Sequence, residues 1–202
     1  ESGETQPMSL MALLTGVQAD DIRPFICGET HGHVEPKQNL FDAIRSGGFD
    51  PSYAKPTLFR IHDSFFALMA NHQYGVKGTD ADDLTHATLE ARAEVNDIVD
   101  SLRSLGSPWS GLRLVATAEH IGVREARRIH GRYTVQAEDL ARGFRHEDAV
   151  CRATFCVDVH STNPESGKGF GGEGVKAVPY DIPLRALIAR DVDGLMMAGR
   201  CI

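Results

Sequence analysis

The sequence predicts an α+β fold: a mixed or antiparallel sheet with one long helix, followed by a C-terminal strand that stands apart from that sheet. Three observations carry the prediction. Residues 57–61 (TLFRI) and 65–71 (FFALMAN) flank His62, Asp63 and Ser64 as two β-prone runs flank a tight turn. Leu84, Ala87, Ala91, Val95, Ile98, Leu102 and Leu105 recur three or four apart, giving one apolar stripe over about six helical turns. Leu195, Met196, Met197 and Ala198 form a short apolar run closed by Gly194 and Gly199. Such a run reads as a strand buried on both faces.

The totals narrow the classes of function. At 202 residues, with 42% hydrophobic residues, the chain can hold one large domain or two small ones. A net charge of −7 argues against general attraction to nucleic acid or to anionic membranes. No apolar run approaches the roughly 20 residues of a membrane span. Cys27, Cys151, Cys156 and Cys201 lack CxxC spacing and read as reduced core cysteines of a cytoplasmic protein. These totals leave room for a homo-oligomer.

Taken in order, residues 6–16 (QPMSLMALLTG) are apolar at odd and even positions alike. They predict a strand buried on both faces, with a short helix as the alternative. Asp20 to Pro24 reads as a turn or the start of a short helix. His31 and His33 sit two apart, a spacing that points both imidazoles one way on a strand and so admits a metal. No carboxylate or further histidine stands near at helical spacing, and a polar glycine loop explains the pair equally. Residues 47–55 form a connector, and residues 74–83 a polar loop leading into the long helix. Asp82, Asp83 or Thr85 can cap that helix, and Gly106 with Pro108 stops it.

Residues 112–117 (LRLVAT) predict a strand. Residues 121–129 (IGVREARRI) are basic for an acidic protein. If extended, they put Arg124, Arg128 and His130 on one face, and Glu125 and Arg127 on the other. Residues 136–143 form a short helix with Glu138 and Asp139 in its first turn and Gly143 as its stop. Residues 153–160 (ATFCVDVH) predict a strand that delivers Asp158 and His160 to one face. The loop at 163–174 has five glycines but matches neither GxGxxG after a strand nor GxxxxGK[ST], so no phosphate cradle is read there. Gly199 then allows close backbone approach beyond the last strand, and Arg200 adds a permanent cation. A buried strand needs neighbours, and the chain ends two residues later.

Three stretches together resemble the FAD-dependent oxidoreductases whose dinucleotide-binding domain carries an inserted substrate domain. They are TQPMSL at residues 5–10, IGVREARRIHGRYTVQAEDL at 121–140, and DVH at 158–160 followed by YDIPLRALIARDVDGLMMAGRCI. The resemblance implies a substrate domain over residues 1–178. Residues 179–202 would then be the return segment into an incomplete FAD-binding, Rossmann-like domain. The family's opening GxGxxG is not in this sequence, nor is the helix that follows its last strand. The chain therefore resembles the middle of a flavoenzyme, expected to bind FAD poorly by itself.

The implied cofactor is FAD, with Gly199 and Arg200 on its side. His160 is the candidate for proton transfer, because imidazole titrates near neutrality and Asp158 can orient it. Arg124 and Arg128 are candidates for an anionic or polyhydroxylated substrate, since a guanidinium fork matches carboxylates and vicinal oxygens. Each residue also has a plainer reading. Asp158 and His160 can anchor the glycine loop, the arginines can pair with Glu119, Glu125 or Asp139, and Arg200 can pair with Asp193. Tyr180 and Arg185 can line a cavity or simply pack. The rival functions are a binding module that recognises an acidic ligand through an Arg124/Arg128 strand, and a metalloenzyme built on His31, His33 and His62 or His160.

Overall fold

Strand pairing and helix packing are set by where apolar side chains alternate and where they recur on one helical face. The computed structural model describes residues 4–29, 34–166, 168 and 175–202. The chain divides into two compact units, Glu1–Arg124 with Ser161–Gly169, and Glu125–His160 with Phe170–Ile202. Among the described residues no helix is long and apolar enough to cross a membrane.

The first unit holds β1 (Met11–Thr15), β2 (Thr57–His62), β3 (Phe65–Met69) and β4 (Arg113–Thr117) in the order β2-β3-β1-β4, antiparallel throughout. The expected hairpin is β2 with β3. Ala12, Leu14, Phe66 and Leu68 point to one face and are buried. They meet Leu40 and Ile44 of helix α1 (Val34–Ser46) and Val95, Ile98 and Leu102 of helix α2 (Ala81–Ser104) in one hydrophobic cluster. The opposite face leaves Met11 and Phe59 exposed. The expectation that residues 6–16 are buried on both faces is therefore corrected: only alternate side chains are covered, because helices pack on one side of the sheet.

The long helix forms as its stripe predicts, but Asp80 caps it, accepting from the backbone N–H groups of Asp82 and Asp83. Gly106, at φ +76°, follows its last turn. Two side-chain devices lock the unit. Asn71 accepts from the Leu10 N–H at 2.8 Å and donates to the Leu10 carbonyl at 3.0 Å, replacing a backbone partner beyond β3. Glu94, buried on α2, accepts from the Ser52 N–H at 2.7 Å, the Ser52 hydroxyl at 2.8 Å and the Gln73 amide at 3.2 Å. Burial pushes the Glu94 carboxyl above its ordinary value despite the Ser52 bonds and the nearby Lys168 charge.

The second unit contains β5 (Ala149–Ala153) and β6 (Tyr180–Pro183), an antiparallel pair, with helix α3 (Ala137–Arg142) and the single turn α4 (Leu184–Leu187). Helix α3 matches its prediction. Asp139 accepts from the Gln136 N–H at 2.8 Å, and Gly143 closes the helix in the left-handed region at φ +63°. Three expectations are corrected. Residues 121–129 form no strand; Gly122 makes one isolated bridge to Ser9. The strand expected at 153–160 lies earlier, at 149–153, where pairing with β6 supplies its hydrogen bonds. Leu195 to Ala198 is not a buried strand: Met196 makes one bridge to Ile188, and Leu195 and Met196 are exposed. An apolar run becomes a strand only when a neighbour satisfies its backbone, and one bridge does not.

Two outcomes follow for the first unit. A Cβ on Gly47 would lie 2.1 Å from the Ser101 carbonyl oxygen, at the point where the Ser101 hydroxyl donates to the Ile44 carbonyl. Gly47→Ala is expected to cost roughly 1–3 kcal/mol in urea unfolding by forcing α1 from α2. Because the folded state raises the Glu94 pKa, its contribution is fully present at low pH and lost as pH rises through the raised value. Thermal unfolding should show the native protein losing stability relative to Glu94→Gln as pH rises from the ordinary carboxylate range through the raised Glu94 value.

Candidate functional site

Few apolar side chains are buried in the second unit, Ala186 and Ala189 among them, and its buried polar groups are Asp139, His146, His160 and Asp181. Asp181, 2% exposed at the start of β6, must meet positive charge to stay there. It accepts from Arg145 Nε at 2.7 Å and from the His146 N–H at 3.2 Å, with Arg152 at 3.8 Å. Asp148 pairs with Arg185 at 2.6 Å and also accepts from the Arg185 N–H. Arg185 Nη2 lies 2.9 Å from His146 Nδ1. A guanidinium only donates, so Nδ1 accepts and the neutral ring carries its proton on Nε2. That Nε2 is buried and has no hydrogen-bond partner among the described residues.

The same arginine sits 4.8 Å from the centroid of the Tyr133 ring, whose hydroxyl donates to Asp139 Oδ2 at 2.6 Å. The Asp139 hydrogen bond, with burial, raises the Tyr133 hydroxyl pKa. Burial alone would raise Asp139 as well, but the Gln136 N–H, the Tyr133 hydroxyl and the Arg185 charge hold it below the usual carboxylate range. Asp181 is likewise held low, chiefly by Arg145.

Beside this network lies a cavity of about 390 Å³, within the usual size of small-molecule pockets. Arg128, Tyr133, Gln136, Leu140, Tyr180 and Gly199 are in its wall. It thus brings together one residue expected on the substrate side, Arg128, and one expected on the cofactor side, Gly199. Arg128 is 68% exposed, with Glu125 at 3.6 Å, rather than the Arg127 partnership that an extended chain would give Glu125. Gly199 opens a 3₁₀ turn at φ +69°, with nothing within 4 Å of where a Cβ would stand. A ligand can approach its backbone closely.

The other expected residues lie elsewhere. Arg124 belongs to the first unit, where its Nε donates to the Pro7 carbonyl at 2.9 Å and its Nη2 to the Ser9 hydroxyl at 3.1 Å. His160 is 4% exposed in the second unit, its Nε2 3.6 Å from Asp158 Oδ1, and it is not in the cavity wall. Arg200 follows Gly199 in the same 3₁₀ turn and is exposed. His31 and His33 lie outside the described residues. His62 is 80% exposed beside Asp63, and no metal-binding cluster occurs among the described residues.

Sequence reasoning passed over His146, Asp148 and Asp181. Their partners stand 35 to 39 residues away, so no local pattern marks them. Tyr133 and Asp139 carried a fainter signal, six apart at the opening of a short helix.

Comparison with known proteins adds one finding. A family model described as FAD dependent oxidoreductase matches residues 1–202. No curated protein and no solved structure matches the chain.

The electrostatics give the second unit a distinct response to acid. Asp139 and Asp181 have depressed pKa values, so their contribution is present above the ordinary carboxylate range and lost as pH falls through the depressed values. Hydrogen-exchange protection around α3 and β6 should fall as pH drops through and below the ordinary carboxylate range while that of α2 is kept.

Proposed function

The chain belongs to the FAD-dependent oxidoreductase family, and from that premise we propose that it forms the substrate-facing part of an enzyme acting on a small polar substrate, hydroxylated or anionic, by hydride transfer to or from flavin. The observation that carries the reading is the shared cavity wall of Arg128 and Gly199. In this reading residues 1–178 are the substrate domain and residues 179–202 the segment returning to the flavin-binding domain.

The residues present fit one edge of the cofactor. The open backbone at Gly199 admits close approach, and the exposed guanidinium of Arg200 suits phosphate or ribityl oxygens. When bound, the flavin supplies the acceptor or donor of the hydride. Arg128 holds the anionic or hydroxylated end of the substrate through its fork of N–H donors. Arg124 fixes Pro7 and Ser9 within the first unit. His160 lies outside the cavity wall, so its proposed role, taking the substrate's hydroxyl proton during oxidation or returning it during reduction with Asp158 stabilising the imidazolium, requires a substrate that reaches beyond the cavity to it.

Titration with FAD tests the cofactor, uptake being read as absorbance near ~450 nm. In the flavin-loaded protein, His160→Ala is expected to slow flavin reduction by about 10²-fold or more without releasing flavin. Unchanged reduction would remove His160 from the mechanism. Anion affinity in the full-length enzyme with no flavin uptake there would favour the non-catalytic binding module instead.

A further inference from the structure

The cavity wall also bears on which substrates can enter, an inference that rests on the reading above for the cavity's role. Its polar groups are few and partly committed. Tyr133 donates its single hydroxyl proton to Asp139, so it offers a ligand lone pairs alone. The Gln136 amide donates to the Thr134 carbonyl at 2.9 Å. The Tyr180 hydroxyl makes no hydrogen bond among the described residues and is available. Much of the remaining wall is apolar, including Ile129, Leu140, Ile182 and Ala186.

A sugar filling this space would bring a hydroxyl on nearly every carbon. Those set against Ile129, Leu140, Ile182 and Ala186 would find no partner there, and a buried hydroxyl without a hydrogen bond opposes binding. A bare hydrocarbon would leave Arg128 unused. The guanidinium's ion pair with Glu125, at 3.6 Å, is too long for a hydrogen bond, and its arginine side is largely open to solvent, so an incoming carboxylate can compete for that side.

We infer that the cavity selects an amphiphilic monoanion, a carboxylate that Arg128 holds at one end of an apolar body. Tyr180 then offers a donor or acceptor to a hydroxyl next to the carboxylate. The ligand class is narrower than a small polar substrate: an aryl- or alkyl-substituted acid is favoured over a sugar or a short hydroxy acid.

Calorimetric titration of the full chain, with no flavin added, tests this with 4-phenylbutyrate, its uncharged amide and glycerate. The expected result is 4-phenylbutyrate binding about tenfold or more tightly than either of the others. Arg128→Ala should weaken it by about tenfold. Ala137→Phe, which narrows the cavity from an exposed position where the larger ring is tolerated, should do the same while circular dichroism stays unchanged. Equal binding of acid and amide, tighter binding of glycerate, indifference to both substitutions, or no binding up to about 5 mM would each overturn the inference. Flavin takes no part in the titration. Failure here therefore leaves flavin uptake standing, and failed flavin uptake leaves this ligand class standing.

Discussion

A carboxylate with almost no contact with water, Asp181, is what the second unit is arranged around. Ionised and 2% exposed, it is tolerable there only because Arg145, Arg152 and the His146 N–H converge on it. That convergence fixes residues 144–148 against β6, which in turn places Asp148 to hold Arg185. Arg185 then reaches His146 and the face of Tyr133, and Tyr133 reaches Asp139 at the start of α3. The cavity wall is thus the far end of a chain of charge-assisted contacts. Removing one partner leaves another buried charge uncompensated, so the contacts succeed or fail as a set.

The first unit solves the same problem of stability by other means. Its sheet covers one face with two helices and a large apolar cluster, and its buried Glu94 meets neutral donors from Ser52 and Gln73. At Glu94 the cost of burial outweighs the Ser52 bonds and its pKa moves up, whereas at Asp139 the Gln136 and Tyr133 hydrogen bonds, and at Asp181 the Arg145 bond, outweigh burial and those pKa values move down. The charge inventory follows the same division. The second unit has ten basic and ten acidic residues, nine of the basic ones arginine, so the net charge of −7 resides in the first.

What could be read in advance was whatever is written in neighbouring residues. The stripe of α2, the β2–β3 hairpin, β4, and α3 with its glycine stop all depend on spacing within one element, and all formed. Helix α1 went unread because its buried positions, Pro36, Leu40 and Ile44, are separated by charged and polar residues that dilute the stripe. The run from Leu195 to Ala198 shows the opposite error. Its composition is that of an inner strand, but a strand exists only through its neighbours, and a single bridge to Ile188 is what this one has. Of the site, Arg128 was a candidate from its guanidinium chemistry and Gly199 from the resemblance, while the cavity whose wall holds both was not foreseen, since it depends on α3, β6 and α4 meeting around Tyr133. Asp181, Arg185 and His146 lay beyond any local pattern.

Arg124 and Arg128 make the case for judging a cation by its fixed acceptors. Read as a strand, the two share a face and invite one role. The observed loop separates them. Arg124 spends two donors on a carbonyl and a hydroxyl of its own unit, both at hydrogen-bond distance, and so works as a clamp on Pro7 and Ser9. Arg128 has a carboxylate at 3.6 Å and a side chain 68% open to solvent, in a unit whose formal charges cancel. With no surplus of positive charge to draw anions over a distance, attraction in that unit is local, strongest where a guanidinium is loosely paired at the wall of a cavity. Arg128 meets that condition at the cavity, which makes it, of the two arginines, the one whose charge a ligand can use.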